Sequence, residues 1–473
     1  MRRLLLVAAL LPLPALAQAP LTQEVAAILG EAPAGTRFGL LVETQAGEEI
    51  VAVSPDNRFV PASNTKLFTT LGAYPVLAEL QAAARGTAVR LVPAGDGMVD
   101  VVLVGHGDPA LSSAPGCTVQ CLTTLADAVA GEMDGATRRV RHVVGDDSWY
   151  PDERWPSGMS WNNIPSRSGT ATSALTLDDN EALLTITPGA AGEAATVEGS
   201  GYYTIDNRVR TVPGSAEAVA FERLPFDRVL RLSGTIGAES GPVTLRGGID
   251  DPAHHAAWHL ARLLRQRGVA IAGEVQARHL PAEAADAQAP EEASLLELPA
   301  SPVTEDVVVI NKVSQNLHAE LLLRRLGRLA ASGSVADGQA ALHATLDEPA
   351  KGAGWYLADG SGMSNYNRVT PRAVVALLHW AGAQPWGEAW RASLPVAGQD
   401  GTLRSRFAAT PLAGRLWAKT GSLNAARALS GTMQAASGRV LVFSAFANDM
   451  PPGGDAAATA VLDRALLAIA AAN

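Results

Sequence analysis

Five short apolar segments of strand-like character, placed at the two ends of a 473-residue chain, constrain the fold more than any other feature. Two of them (38–42 and 50–53) lie near the N-terminus, and three (415–419, 428–434 and 440–446) lie near the C-terminus. Glycine-containing turns separate neighbours within each set, as in antiparallel strands. Helical patterns flank both sets, so we predict one sheet assembled from distant parts of the chain, with helices packed on it.

The intervening region has a different pattern. From about residue 85 to 284, short β-like runs alternate with turns rich in Gly, Pro, Asp and Asn, and one helical pattern interrupts them at 253–266. An Ala-, Glu- and Pro-rich stretch at 281–292 is typical of an exposed linker. The predicted organisation is a domain in two parts, 18–84 and 285–473, split by a β-rich insertion of one domain or two nested ones.

The first seventeen residues have the pattern of a secretory signal. Arg2 and Arg3 precede an apolar run, and Ala-Leu-Ala at 15–17 is a small-residue cleavage site. The run is shorter than the roughly 20 residues of a transmembrane helix, and the charged start argues against a buried N-terminal helix. We expect residues 1–17 to be a signal peptide and the rest of the chain to lie in a bacterial periplasm, without a transmembrane anchor.

The net charge limits the kinds of binding partner, and the cysteine content limits the kinds of cross-link or metal site. The net charge of −10 argues against nucleic acid and anionic membranes, and no oligomeric state is predicted. Cys117 and Cys121 are the two cysteines. In an oxidising compartment they fit a disulfide, while free thiols and half of a metal site stay open as alternatives. Metal is the least favoured of the three, because no second Cys or His pair lies close in sequence.

Other candidate sites are weighed against simpler interpretations. His255 and His259 have zinc-site spacing, but Ala256 stands where the zinc-protease pattern requires Glu, so helix packing is favoured. The acidic segment 178–180 fits a turn better than a calcium loop. Trp149, Trp155 and Trp161 fit packing of the insertion better than a peptide- or glycan-binding surface. We therefore predict no metal and no cofactor.

Lysine is scarce, with four among the 37 basic residues: Lys66, Lys312, Lys351 and Lys419. A desolvated lysine can lose its proton and act as a base, whereas arginine in a protein cannot. Lys66 closes the sequence Ser-Asn-Thr-Lys at 63–66, and Lys419 opens Lys-Thr-Gly at 419–421. A chain that otherwise uses arginine but keeps lysine in these places indicates a serine acyl-transfer enzyme.

Ser63 and Lys66 are one helical turn apart, which places both side chains on one face at the start of a helix. A lysine kept neutral by burial and by a second cation can take the serine proton. The helix N-terminus also supplies N–H groups for a developing oxyanion. The alternative is that Ser63 has no catalytic role and only caps the helix.

The second and third motifs are weak when taken singly. Ser314 can pass a proton to a leaving amine, and the Asn316 amide can hold both the substrate backbone and Lys66. The alternative is that these two polar residues, two positions apart, belong to the surface of an ordinary loop. Lys419 and Thr420 can bind a carboxylate at the end of an apolar strand, and Gly421 lets a substrate backbone approach. A β-turn beside a lysine is the alternative. The order and separation of all three motifs are the strong signal.

With these motifs, the chain resembles the D-alanyl-D-alanine carboxypeptidase/endopeptidases among the class C low-molecular-mass penicillin-binding proteins. The resemblance covers the chain beyond the signal and includes the long insertion. The supporting segments are 61–66 (PASNTK), 107–111 (GDPAL), 311–316 (NKVSQN), 359–364 (DGSGMS) and 397–403 (AGQDGTL).

The resemblance implies an α+β fold of the penicillin-binding-protein and β-lactamase type: an antiparallel sheet with flanking helices and a helical subdomain. It implies cleavage of peptidoglycan stem peptides through an acyl-enzyme, with β-lactams as inhibitors. The implied roles are nucleophile for Ser63, base for Lys66, proton donor for Ser314, substrate orientation for Asn316, carboxylate binding for Lys419 and Thr420, and oxyanion N–H groups from Ser63 and Ser422.

Two positions depart from the family pattern. Asn163 follows Trp161-Asn162, where relatives carry an acidic residue that meets the amine of a diaminopimelate side chain, and Asn365 stands where they often carry Arg. We expect both asparagines to bind substrate with altered recognition. A β-lactamase or esterase of the same fold, and a sensor of muropeptides or β-lactams without turnover, are the alternative functions.

Overall fold

The computed structural model describes residues 15–135, 139–282 and 293–473, with side chains from residue 20 onward. The predicted signal peptide lies outside the described residues except for its last three positions, and the linker predicted at 281–292 lies almost wholly outside them.

The secondary structure comprises sixteen strands and eleven α-helices among the described residues. The strands are β1 (Arg37–Thr44), β2 (Glu49–Val53), β3 (Ala88–Pro93), β4 (Met98–Val104), β5 (Arg139–Pro151), β6 (Glu181–Thr187), β7 (Thr196–Gly199), β8 (Thr204–Val212), β9 (Glu217–Glu222), β10 (Val229–Gly237), β11 (Val243–Gly248), β12 (Val275–Leu280), β13 (Leu296–Glu297), β14 (Leu416–Leu423), β15 (Ala426–Gln434) and β16 (Val440–Asn448). The helices are α1 (Ala15–Leu29), α2 (Thr65–Ala73), α3 (Leu77–Ala83), α4 (Leu122–Met133), α5 (Pro252–Gln266), α6 (Val303–Lys312), α7 (Asn316–Arg328), α8 (Val335–Leu346), α9 (Pro371–Gly382), α10 (Gly387–Ala392) and α11 (Asp455–Ala472).

The two ends of the chain form one antiparallel sheet in the order β14-β15-β16-β1-β2. Strand β1 pairs with β16 along its whole length, from Arg37 opposite Asn448 to Thr44 opposite Leu441. The prediction of a single sheet built from distant segments is therefore correct, and β14 forms one of its edges.

Both faces of this sheet are covered. Successive strand residues point to opposite faces: Leu41 packs with the helical layer of α2 and α6–α9, whereas Leu40 and Val42 pack with α1 and α11. Burying each such side chain contributes about 1.5–3 kcal/mol, so the two layers hold the sheet rigidly under the segment that follows β2.

The middle of the chain forms three further sheets. A mixed five-stranded sheet, β12-β5-β4-β3-β13, packs against α5 and against α4, a helix that the sequence did not predict. Two three-stranded sheets, β8-β10-β9 and β11-β6-β7, share a separate apolar core. Strand β13 pairs with β3, and Leu298 packs in the same core as α4, so residues after the predicted boundary at 284 contact the middle region.

Helix α7 joins the middle region to the two-part domain. Arg324 is buried, ion-pairs with Glu153, and donates hydrogen bonds to Pro151 O (2.9 Å) and Gly333 O (3.1 Å). The neighbouring Arg325 donates to Gly107 O (2.9 Å). The helix that begins at Asn316 is thus held at its far end by the insertion.

Several smaller predictions can be compared with the structure. Cys117 and Cys121 form a disulfide. The His255 and His259 Nε2 atoms lie 3.1 Å apart, and the described residues contain no cluster of three or more potential metal ligands. No helix within the described ranges combines the length and apolar character needed to span a bilayer.

Of the tryptophans singled out in the sequence, Trp149 and Trp155 are half-buried and Trp161 is exposed. Trp149 packs edge-on against His106, and Trp155 Nε1 donates to Gly169 O (2.9 Å). Trp161 is 64% exposed.

Candidate active site

The candidate nucleophile Ser63 lies in a short 3-10 helix, Ala62–Asn64, that leads directly into α2. Ala62 has a positive φ of 47°, a strained conformation for a residue with a side chain. Asn64 Nδ2 donates to Lys419 O (2.8 Å), which ties the turn to β14. A Cβ added to Gly362 would stand 1.9 Å from Ala62 O, so only glycine fits against the turn.

Lys66 is fully buried in the first turn of α2 and has three oxygen neighbours. Its Nζ lies 2.9 Å from Ser63 Oγ, 2.7 Å from Asn316 Oδ1 and 2.6 Å from Ser361 O. The last two oxygens can only accept hydrogen bonds, so they occupy two N–H groups of the lysine. The third position faces Ser63, where a neutral amine presents its lone pair to the serine hydroxyl.

The electrostatic surroundings favour that neutral form. Burial lowers the pKa of Lys66 to about 7, against the opposing attraction of Asp359 and Glu320. Burial, with the nearby charge of Lys66, also holds the pKa of Lys419 well below its usual range. Two buried amines close together disfavour the doubly charged state, which is the condition that a lysine base requires.

Two buried carboxyl groups, which the sequence did not predict, support the loop beneath Lys66. Glu320 accepts from the Ser361 N–H (2.9 Å), and Asp359 accepts from the Ser364 N–H (2.6 Å) and from Asn367 Nδ2 (2.7 Å). Burial raises the pKa of both carboxyls. The sequence signal for Glu320 is its position four residues after Asn316, on the same face of α7.

Ser314 and Asn316 reach the site from the turn that joins α6 and α7. Ser314 has a positive φ of 63°, and its Oγ accepts from Lys419 Nζ (2.8 Å). The Asn316 side chain bridges two parts of the molecule: Oδ1 accepts from Lys66, and Nδ2 donates to Ser168 O (2.8 Å) in the inserted region. The insertion therefore helps to orient a residue of the site.

The Lys-Thr-Gly segment lies inside β14, where the sequence placed the end of a strand followed by a turn. Gly421 pairs with Ala428, and the strand continues to Leu423. A Cβ on Gly421 would stand 2.7 Å from Pro61 O and 3.2 Å from Ser63 N, so glycine here lets the edge strand approach the serine turn.

A cavity of about 310 Å³ opens above these groups. It is lined by Ser63, Arg167, Ser168, Val313, Ser314, Gln315, Asn316, Met363, Thr402, Thr420 and Ser422. At one end Thr420 Oγ1 donates to Thr402 Oγ1 (2.7 Å), and at the other Ser168 contacts Asn316. The sequence motifs did not identify Arg167 or Ser168, because these residues come from the inserted region, and they gave no role to Met363, although it lies in the 359–364 segment.

The two remaining predicted substrate residues, Asn163 and Asn365, are not part of this cavity lining. Asn163 ends a short 3-10 helix (Trp161–Asn163), and its carbonyl accepts from Ser166 Oγ (2.7 Å). Asn365 is exposed and donates its backbone N–H to Gly158 O (2.9 Å). Asn365 therefore belongs to the contact between the 155–168 segment and the loop that follows Asp359, whereas these bonds of Asn163 stay within its own segment.

The other two lysines are less deeply placed. Lys312 Nζ pairs with Asp400 Oδ2 at 2.5 Å and so supports the turn that carries Thr402. Lys351 is strongly exposed, with a long ion pair of 3.6 Å to Glu348.

Comparison with known proteins gives a consistent result. The family described as D-Ala-D-Ala carboxypeptidase 3 (S13) matches residues 21–468. A D-alanyl-D-alanine carboxypeptidase of Actinomadura sp. (strain R39) is 34% identical over 452 residues, which cover 90% of this chain and 80% of the relative. A penicillin-sensitive carboxypeptidase A of Dictyostelium discoideum is 25% identical over 439 residues, 84% of this chain and 80% of the relative.

Among solved structures, penicillin binding protein 4 from Haemophilus influenzae superposes with a TM-score of 0.76 at 21% identity, covering 93% of this chain and 98% of that one. A second structure of that protein, complexed with a β-lactam, gives a TM-score of 0.69. At this identity the likeness concerns the fold, and the predicted α+β architecture is confirmed.

Proposed function

Because this chain belongs to the D-Ala-D-Ala carboxypeptidase 3 (S13) family, we propose that it is a serine D-alanyl-D-alanine carboxypeptidase that acts on peptidoglycan stem peptides. The observation that carries the proposal is the environment of Lys66, with two obligate acceptors on one side and the Ser63 hydroxyl on the other. That arrangement supplies a nucleophile and a neutral base in contact.

In the proposed acylation step, Ser63 Oγ attacks the carbonyl carbon of the penultimate D-alanine while its proton passes to Lys66 Nζ. The oxyanion that forms accepts hydrogen bonds from the Ser63 and Ser422 N–H groups. Gly421 supports this assignment, because its lack of a side chain lets β14 come close to Ser63 N. Collapse of the intermediate breaks the peptide bond and leaves an ester on Ser63.

The departing D-alanine amine takes a proton from Ser314 Oγ. Lys66 then gives up the proton that it received from Ser63, which restores the Ser314 hydroxyl and leaves the Lys66 amine neutral again. Lys419 supports this step, because its Nζ donates a hydrogen bond to Ser314 Oγ and so holds that oxygen in place. Water then attacks the ester, with Lys66 again accepting a proton, and Ser63 is regenerated as the shortened peptide leaves.

The terminal carboxylate of the substrate binds at the Thr420 end of the cavity. The hydroxyls of Thr420 and Thr402 contact each other there, and the Lys419 amine donates to the Thr420 carbonyl (3.1 Å). The outer edge of β14 is bonded to the 395–397 segment as far as Ala418, and the part of the edge after Ala418 offers backbone groups to an extended peptide. The acyl side of the substrate then extends over Asn316, toward the Ser168 end.

β-Lactams are proposed to acylate the same serine, as the carboxypeptidase function implies. We place the protein in the periplasm, on the basis of its signal-like N-terminal sequence and of the Cys117–Cys121 disulfide, which is typical of oxidising compartments. The proposed domain division keeps 18–84 in the catalytic part and extends the insertion, predicted for 85–284, to about residue 298, in accord with the pairing of β13.

The test is release of D-alanine by the purified protein from a peptide ending in D-Ala-D-Ala. We expect turnover by the wild type, none by Ser63→Ala, and loss of turnover after treatment with penicillin. Absence of D-alanine release from monomeric and cross-linked muropeptides would overturn the proposal. If mass spectrometry detects cleavage of cross-linked muropeptides, the protein also has endopeptidase activity.

Two other outcomes would reassign the site. Rapid turnover of a chromogenic cephalosporin without peptide cleavage would identify a β-lactamase or esterase of the same fold. Stable acylation by penicillin with no hydrolysis of any peptide would identify a sensor.

A further inference from the structure

We propose that Arg167 selects substrates whose acyl side carries a carboxylate, specifically on the side chain of the residue that precedes D-Ala-D-Ala. The inference rests on the proposed function and adds to it the chemical class of stem peptide preferred. It assigns a specificity role to the inserted region, which carries Arg167.

The position of Arg167 sets which part of the substrate it meets. Arg167 begins a 3-10 helix (Arg167–Gly169), and the next residue, Ser168, accepts through its carbonyl from Asn316 Nδ2. Arg167 therefore lines the cavity at its Asn316 end. The leaving D-alanine and its carboxylate belong at the opposite end, near Thr420, so Arg167 faces the acyl side of the peptide.

The charge of this end of the cavity favours an anion. Arg167 is the charged member of the cavity lining, which contains no carboxylate among the described residues. Its nearest acidic partner, Glu181, is shared with Arg246: Arg167 Nε lies 3.1 Å from Oε1, and Arg246 Nε lies 3.2 Å from Oε2. Asp179, the next carboxylate, pairs with His318 (3.0 Å). Two guanidinium groups sharing one carboxylate leave an excess positive charge.

The guanidinium is ion-paired on one side and has free hydrogen-bonding groups on the other. Glu181 is buried and its Oε1 lies 3.1 Å from Arg167 Nε, while the Arg167 side chain is 44% exposed. Within the described part of the chain, the Arg167 Nη atoms make no hydrogen bond. A guanidinium with an ion pair at one edge and two donors free at the other is suited to bidentate capture of a carboxylate.

The experiment compares kcat/KM for three N-acylated peptides of the form X-D-Ala-D-Ala, in which X carries a side-chain carboxylate, amide or ammonium. We expect the wild type to prefer the carboxylate over the amide by about tenfold, the range of one charge-assisted hydrogen bond. Arg167→Gln should remove this preference and leave hydrolysis of the amide peptide within about twofold. Arg167→Glu should favour the ammonium peptide.

Arg246→Gln is the matched control, because it loses the other guanidinium on Glu181 but does not line the catalytic cavity. It should keep most of the carboxylate preference, because the Arg167 guanidinium that contacts the substrate is unchanged although the positive charge around Glu181 falls. An equal loss on all three peptides in Arg167→Gln, or the same loss of preference in Arg246→Gln, would assign Arg167 a structural role and overturn the proposal. A wild type without preference would do the same.

A second measurement separates this inference from the proposed function. Penicillins whose acyl side chain carries a carboxylate, no charge or an ammonium group should acylate Ser63 in that order of rate in the wild type, and at similar rates in Arg167→Gln. This order would support Arg167 selectivity even if no peptide were hydrolysed, whereas equal rates in the wild type would contradict it. Failure of every penicillin to acylate the protein would overturn the selectivity proposal together with the proposed acylation of Ser63.

Discussion

At the scale of single residues, the four lysines lie in environments that should respond differently to arginine. Lys66 and Lys419 are fully buried, with their amines on serine oxygens. Lys312 is partly buried in an ion pair, and Lys351 lies in solvent. Burial depends on tertiary contacts, so the structure is needed to show that Lys66 and Lys419 are buried while Lys312 and Lys351 are not.

Lys66→Arg should reduce kcat/KM for a D-Ala-D-Ala peptide by at least about 100-fold, the lower range for loss of a general base. Arginine keeps the positive charge but cannot give up its proton to become the base. Steady-state D-alanine release measures the effect, with Lys351→Arg as the exposed control that should behave as wild type. Retention of most activity by Lys66→Arg would contradict the base assignment.

The pH dependence of kcat/KM should report the ionisation of Lys66. Its pKa is lowered to about 7, and only the neutral amine can accept the Ser63 proton. Activity should therefore rise about tenfold per pH unit below pH 7 and level off above it. Initial rates between pH 5 and 9, at substrate concentrations well below KM, test this, and a profile that is flat from pH 5 to 7 would be inconsistent with a lysine base.

The residues of the three motifs could be identified from sequence because each motif is local and its chemistry needs particular residue types. Glu320 and Asp359 could not be assigned, since their importance comes from burial beneath Lys66. Burial also matters at Lys419, where it disfavours replacement by arginine. A guanidinium is larger than the ammonium it would replace in a fully buried position.

At the scale of elements, periodicity identified most of the two-part domain. Helix α2 (Thr65–Ala73) begins where the spacing of Ser63 and Lys66 predicted the start of a helix, and Pro75 follows its end. The sequence placed a turn at Gly421, but glycine serves there to let β14 approach the serine turn, a reason invisible without the partner. Helix α4 was not predicted from the sequence, because the residues that precede it are rich in turn formers.

The N-terminus of α7 is held by a residue of the insertion. Asp179 accepts from Gln315 Nε2 (3.2 Å) and pairs with His318 Nε2 (3.0 Å), while His318 Nδ1 contacts Asp306 (2.6 Å). The two carboxylates outweigh the effect of burial and raise the pKa of His318 to about 9. This cluster adjoins Asn316, so it should help to hold the second motif in place.

Asp179→Asn should lower the free energy of unfolding by about 1–2 kcal/mol at neutral pH, because a buried charged histidine loses one of its partners. The folded-state pKa of His318 exceeds the ordinary value of 6.5, so this stabilisation is complete below pH 6.5 and is lost as the pH rises through about 9. The difference between wild type and variant should thus shrink between pH 6.5 and 10 in denaturant unfolding.

The control for this change is Asp347→Asn, which breaks an exposed pair of the same length, His343 to Asp347 at 3.0 Å. Exposed pairs contribute little, so the control should leave stability nearly unchanged at every pH. A destabilisation by Asp179→Asn that stays constant up to pH 10 would mean that the charge of His318 is not involved.

At the scale of the whole molecule, the family predicted from three motifs is confirmed, and so is the sheet assembled from both ends. The contacts between the insertion and the two-part domain were beyond sequence reasoning. They join single residues far apart in the chain, as in Asn316 with Ser168 or Arg324 with Glu153, and no local pattern specifies such pairs. These contacts place Arg167 in the cavity and leave Asn163 outside its lining.

Arg324→Met tests whether the insertion and the two-part domain unfold as one unit. The substitution leaves Glu153 without the buried guanidinium and removes hydrogen bonds to Pro151 O and Gly333 O, which should cost about 3–5 kcal/mol. Calorimetry should show a lower melting temperature, and loss of D-alanine release should coincide with the transition, because the insertion orients Asn316. Lys351→Met, which breaks an exposed pair with Glu348, should melt as wild type. An early transition that leaves activity intact would contradict this coupling.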